Sequence, residues 1–169
     1  MSTTKLKAAV EGTLAMTSLN SLASDTSAGL LVASSIKFDN TSGGPSGGLY
    51  LDVIPSVTIS YPNSAPTVAY MTFYYAALVN SGWEDDGYSD AVDGTDQTVT
   101  IGAPTGLKYA GTVPVLQNKI SAAIKLLSVA SVYGFVPPAF CVIGHNGTGQ
   151  TLNSSGHALA YSATAAEST

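Results

Sequence analysis

The sequence predicts an all-β fold, an antiparallel β-sandwich or jelly roll of about eight or nine short strands with an N-terminal arm. Three observations predict it. Clusters of Gly, Pro, Asn, Asp and Ser recur roughly every ten residues, which is turn punctuation. The segments between them are rich in Val, Ile, Thr, Tyr and Phe, and several alternate apolar with polar residues, the period of a pleated surface. Hydrophobic residues make up 45% of the 169, enough to fill the core of one domain of this length.

Residues 1–28 are Ala-, Ser-, Thr- and Leu-rich, and only Val10, Leu14 and Ser18 hint at helical spacing. They are expected to form an arm, a short helix or an extended segment, that reaches onto a neighbouring subunit. The sandwich domain is then residues 29–169. Leu14, Met16, Leu19 and Leu22 do not make a signal sequence, because Thr17, Ser18, Asn20 and Ser21 interrupt them. No run of about 18 apolar residues exists for a membrane helix.

From Leu30 to Phe38 the side chains alternate as a strand, and Asp39-Asn40 opens a turn. Residues 41–48, with four glycines, lack the Gly-Lys-Ser/Thr of a phosphate cradle and read as a flexible strand connection. Leu49 to Ser60 is a second strand region, broken at Pro55 as at an edge or bulge. Residues 61–66 are a turn. Thr67 to Val79 is apolar on both faces and rich in β-formers, so it is expected in the middle of a sheet.

Residues 80–96 hold six of the eleven acids. Clustered carboxylates with glycine suggest calcium, but the spacing does not match a twelve-residue EF loop, and the segment reads as a solvated acidic loop. Gln97 to Ile101 and Leu107 to Leu116 are further strands, the second irregular at Gly111. Ile120 to Val132 fits both periods; continuity with Ser128 to Tyr133 favours a strand. In the last third, Pro137-Pro138 starts an apolar segment, Asn146 to Gly149 and Ser154 to Gly156 supply turns, and Ala158 to Tyr161 is a final strand. Two apolar segments around a turn are β-hairpin grammar, which would let His145 and His157 face each other.

Composition excludes several function classes. Charged residues are 10% of the chain, against about a quarter in typical soluble domains, so the surface is covered by hydroxyls, amides and backbone. That suits a subunit packed against other copies. The six basic residues are all lysine and the net charge is −5, which argues against phosphate neutralisation and hence against nucleic-acid partners. Cys141, the single cysteine, excludes an intramolecular disulfide. It sits in an apolar run about 13 Å along a strand from His145, too far for a hydrogen bond, and reads as a buried small hydrophobe. No nucleophile elbow and no His-Glu-x-x-His helix is present, and the acids crowd into one loop where a glycosidase needs two carboxylates on a framework. The chain is therefore expected to be a non-enzyme with no cofactor and no metal. Aromatic residues become the expected anchors for an interface or a glycan: Trp83, Tyr88, Tyr74 and Tyr50.

Lys37-Phe38-Asp39-Asn40-Thr41 leading into Leu49-Tyr50-Leu51-Asp52, the aromatic strand at 69–78, the Pro-Pro pair before Phe140, and Asn146 followed by Thr148-Gly149-Gln150 together form a pattern. It resembles β-sandwich virion proteins of tailed bacteriophages, over about residues 36–161. The resemblance implies a capsid decoration or cement protein on the phage head surface, with the major capsid protein and copies of itself as partners and neither nucleic acid nor membrane. The runner-up that it implies is a neck or tail structural subunit with the same fold. A carbohydrate-binding sandwich of a host-recognition fibre, using Trp83, Tyr88 and the acidic loop, is a third expectation.

Overall fold

A computed structural model of the chain describes residues 4–25, 30–41, 49–79, 82–83, 92–102, 106–121 and 123–168. The strands are β1 (Thr4–Leu14), β2 (Leu30–Ser34), β3 (Phe38–Asp39), β4 (Tyr50–Thr58), β5 (Tyr70–Val79), β6 (Gly82–Trp83), β7 (Gln97–Ile101), β8 (Lys108–Pro114), β9 (Ile124–Lys125), β10 (Ala139–His145) and β11 (Ala158–Ser168). A 3-10 turn covers Thr17–Leu19 and one short helix, α1, covers Val129–Tyr133.

Every strand pairing described is antiparallel, and the strands form two sheets. The smaller runs β1-β11-β4-β9; the larger runs β6-β5-β10-β2-β7, with β3 beside β10 and β8 beside β5. The two pack face to face. Their shared core takes Leu14, Val53, Val57 and Leu159 from the smaller sheet and Met71, Phe73, Tyr75, Phe140 and Val142 from the larger. The expected all-β sandwich is thus the observed fold.

Rings fasten the layers together. Phe38 on β3 stacks on Phe140 of β10 at 5.1 Å, meets Tyr161 of β11 edge-on at 5.0 Å and lies 5.5 Å from Tyr50 of β4. Phe140 in turn meets Tyr75 of β5 at 5.8 Å. This aromatic chain crosses from one sheet to the other, and edge-to-face and offset geometries are the favoured ones.

The larger sheet is apolar on its outer face as well. Cys141 and Ile143 alternate with the inward Phe140 and Val142 of β10 and join Val32, Ala76 and Ile101 in a second cluster covered by Val92 and Leu107. Every residue from Ala139 to Gly144 is buried, as a central strand with two covered faces requires. The central placement expected for residues 67–79 also holds, since β5 has β10 on one side and β6 and β8 on the other. Its first three residues precede the strand. The irregularity expected at Gly111 is a shift of register between β5 and β8.

Four expectations are corrected. The N-terminal arm is no separate arm: β1 pairs with β11 of its own chain, and Met16, Leu19 and Leu22 are buried in the core. Gly144 suits this placement, because a Cβ there would stand 2.9 Å from the Phe73 ring and 3.2 Å from the Met16 methyl, so any larger residue would press on the side chains that pack residues 16–19 against β10. Second, β10 and β11 are not a hairpin; residues 146–157 carry the chain from the larger sheet to the smaller. Third, residues 129–133 are helical where a strand was expected. Ser128 caps α1 by accepting from the Ser131 amide, and Gly134 ends it in the left-handed conformation at φ 80°. Fourth, Pro55 does not break its strand. Its carbonyl accepts from the Leu126 amide, so its missing N–H faces the side on which β9 offers only two residues.

The connection at 42–48 and most of the acidic loop, 80–81 and 84–91, lie outside the described residues. The acids that are described are tied down. The Asp93 carboxylate accepts from Thr95 and Gln97, and that of Asp96 accepts from the Thr17 amide and hydroxyl at 2.7 Å each and the Ser18 amide at 2.9 Å. Burial alone would raise the Asp96 pKa, but the Ser18 and Thr17 hydrogen bonds outweigh it and hold the carboxyl below its ordinary value of 3.8. A carboxyl depressed on folding contributes stability that is present above its unfolded value and lost as pH falls through its folded one. Asp96→Ala is therefore expected to cost about 1 kcal/mol at pH 7. The gap between the two proteins should narrow below about pH 4. Urea titrations at pH 7 and pH 3 check this; an equal gap at both would refute it.

Candidate functional site

The residue that organises an exposed apolar groove is Asn40. It is buried, and its side-chain amide acts as a strand partner for the Tyr50 main chain: Oδ1 accepts from the Tyr50 amide at 2.7 Å and Nδ2 donates to the Tyr50 carbonyl at 3.3 Å. Nδ2 also lies 3.4 Å from the Val136 carbonyl, and the Asn40 amide donates to Pro138 at 2.8 Å. A buried amide with each contact satisfied rigidifies what it holds. Here it holds three segments, residues 40–41, 49–51 and 134–138.

These segments frame a groove of about 600 Å³ at one border of the sandwich. Local chain geometry decides which side chains face it. Tyr50 turns inward to the aromatic cluster, so its neighbours Leu49 and Leu51 turn outward, 60% and 50% exposed. Gly134 ends α1 and releases Phe135, 59% exposed, onto the same groove. Val136 and Pro138 complete the wall. Three large apolar side chains exposed around one concavity, on a chain so poor in charge, form the kind of patch that marks an interaction surface.

Of the four aromatic residues expected as anchors, the three described ones, Tyr50, Tyr74 and Trp83, do not come together in the groove. Tyr50 is only 3% exposed and belongs to the core, which corrects its expected surface role. Tyr74 is half-buried on the outer face of the larger sheet, with the Tyr109 ring edge-on at 6.4 Å. Burial, then the neighbouring Tyr109, raises its pKa. Trp83 lies in β6 opposite Leu78, and Tyr88 is outside the described residues. The groove's Leu49, Leu51 and Phe135 were missed. Their signal was a leucine either side of an aromatic in a strand, and a large apolar residue directly after a helix-stopping glycine.

The two histidines do not face each other. His145 Nε2 lies 2.8 Å from Asp25 Oδ2 and 3.0 Å from Oδ1, tying the end of β10 to the segment before β2. His157 accepts at Nδ1 from the Ser60 amide and bonds the Asn153 carbonyl through Nε2, which makes it a neutral ring. Burial lowers its pKa, the Asn153 bond notwithstanding. Cys141 is buried as expected, and burial pushes its thiol up to about 12, so it is no thiolate at neutral pH. Among the described residues no group of three His, Cys, Asp or Glu side chains could hold a metal ion, and no helix is long and apolar enough to cross a membrane.

No protein-family model, no curated protein and no solved structure matches the chain.

Proposed function

We propose that this chain is a non-enzymatic capsid decoration protein of a tailed bacteriophage, one that stabilises the phage head by bridging neighbouring major capsid subunits. The observation that carries the reading is the groove that gathers three exposed large apolar side chains, Leu49, Leu51 and Phe135, around one concavity of the sandwich. Such a groove suits an apolar segment of a partner protein. Burying the exposed remainder of its three large side chains contributes roughly 3–5 kcal/mol, and attachment to several capsid subunits multiplies this through linked sites. Each bound copy stabilises the assembled shell because it binds that state and not the opened one.

The test is cosedimentation of the full chain with expanded shells. Binding is expected to survive about 1 M salt, since apolar and hydrogen-bonded contacts are screened little. Phe135→Asp, which places a charge on an exposed position, is expected to weaken binding at least about 30-fold with the fold intact by circular dichroism. Shells lacking the protein should release genome at lower temperature than decorated ones. Unchanged binding by Phe135→Asp, loss of binding in salt, or equal thermal release would overturn the reading. Copy number separates the two virion locations: hundreds per particle means head, about six or twelve means neck.

A further inference from the structure

Among the described residues, the outer face of the smaller sheet carries mostly small side chains, with Glu11 and Lys125 at its opposite borders and Asp52 of β4 tied to Ser128 and Ala130. On β1, β11 and β4 the residues that alternate with the core-facing ones are Glu11, Ser162 and Ile54 in one cross-strand row. The next row is Thr13, Ala160, Ser56 and, on β9, Lys125. Both rows line a shallow depression of about 470 Å³. Apart from Ile54 and the two charged residues, nothing along them is larger than threonine. Glu11 on β1 and Lys125 on β9 are both exposed, and neither makes an ion pair among the described residues.

We infer that this face is the contact between two copies of the chain, related by a two-fold axis lying between the faces and parallel to the strands. Such an axis lays β1 of one copy over β9 of the other. Glu11 of each copy then meets Lys125 of its partner, twice over, because a two-fold contact uses the same patch on both sides. The two residues sit one pair-row apart along the strands, about 7 Å, a step that a lysine and a glutamate side chain together can span. Small residues at the centre let the sheets approach at the ~10 Å of face-to-face packing. No other orientation of the two faces puts opposite charges at both borders, so the pair sets the register more than the strength of the contact.

The area limits the affinity. Three long strands spaced ~4.8 Å apart, each offering about nine residues at ~3.3 Å, present on the order of 400 Å² per copy. That is about half of the ~800 Å² per partner in a standard stable interface. The free chain is therefore a weak dimer, one that forms more fully wherever copies are held close together. The inference concerns the free chain and stands whether or not the chain binds phage shells.

Sedimentation velocity over a range up to about 1 mM tests it. The full chain is expected to shift reversibly from monomer to dimer, with no higher species. Glu11→Lys should weaken the dimer at least about tenfold, and Ala160→Arg, in the middle of the face, should abolish it. The double variant Glu11→Lys with Lys125→Glu should recover association to within about threefold of the original, because the swap restores attraction at both borders. All three positions lie on the outer face of the sheet, and circular dichroism confirms that each variant is folded. A monomer at every concentration, or a double variant no stronger than Glu11→Lys alone, overturns the inference.

Discussion

Phe38→Ala is expected to destabilise the protein by about 4–5 kcal/mol, the upper end for a phenylalanine removed from a core. Phe38 is 1% exposed and its ring touches three others, those of Phe140, Tyr161 and Tyr50. Two of these partners belong to the smaller sheet and one to the larger, so the substitution opens a cavity at the seam and not within one layer. Each lost ring pair adds about 0.5–1.5 kcal/mol beyond buried area. For a domain of this length the melting temperature should fall by roughly 8–20 °C. Phe38→Leu refills most of the volume and should cost less than half as much. Urea denaturation with both variants is the measurement; a Phe38→Ala cost below about 2 kcal/mol would show that the sheets are held elsewhere.

Asn40→Ala is expected to cost about 3 kcal/mol. The hydrogen bonds of the Asn40 side chain to the Tyr50 amide and carbonyl and to the Val136 carbonyl would be lost, and losing such bonds at buried or part-buried groups costs about 1–3 kcal/mol each unless water replaces them. Asn40→Asp is the sharper variant. It keeps the acceptor for the Tyr50 amide but removes the donor to both carbonyls and buries a carboxylate against them. A carboxyl whose charged form is penalised by folding destabilises more as pH rises, so the Asn40→Asp substitution should cost more at pH 7 than at pH 4. Urea midpoints at the two pH values check the sign. Because Asn40 also frames the apolar groove, the proposed decoration role further predicts that both variants weaken shell binding more than their stability cost alone explains.

These two residues also show where reading the chain succeeds and fails. Phe38 sits at the end of an alternating stretch, and its place on a strand was legible. Its ring partners were not, because Tyr50, Phe140 and Tyr161 are 12, 102 and 123 positions away and only the pairing of sheets brings them together. Asn40 reads as a turn residue, and its local role is that of a turn opener. That its amide stands in for a missing strand beside Tyr50 depends on where β4 passes, which no local pattern encodes.

Local pattern was enough for the class of the fold, the central position of residues 67–79, the irregularity at Gly111 and the burial of Cys141. Each rests on short-range physics: β-branched and aromatic content, period-two alternation, turn residues, and a thiol set among apolar neighbours. Which strands pair rests on contacts between distant segments. Residues 1–28 read as a loose arm because an edge strand has few large apolar residues, yet eleven of them form β1 against β11 and Gly144 opens room for the next turn. Residues 139–145 and 158–168 read as a hairpin because each is a good strand beside a good turn, yet they belong to opposite layers. Turn chemistry states that the chain reverses; it does not state across which gap. That choice is made by the buried faces of distant strands, whose side-chain contacts at long separation set the pairing and leave Leu49, Leu51 and Phe135 on the outside.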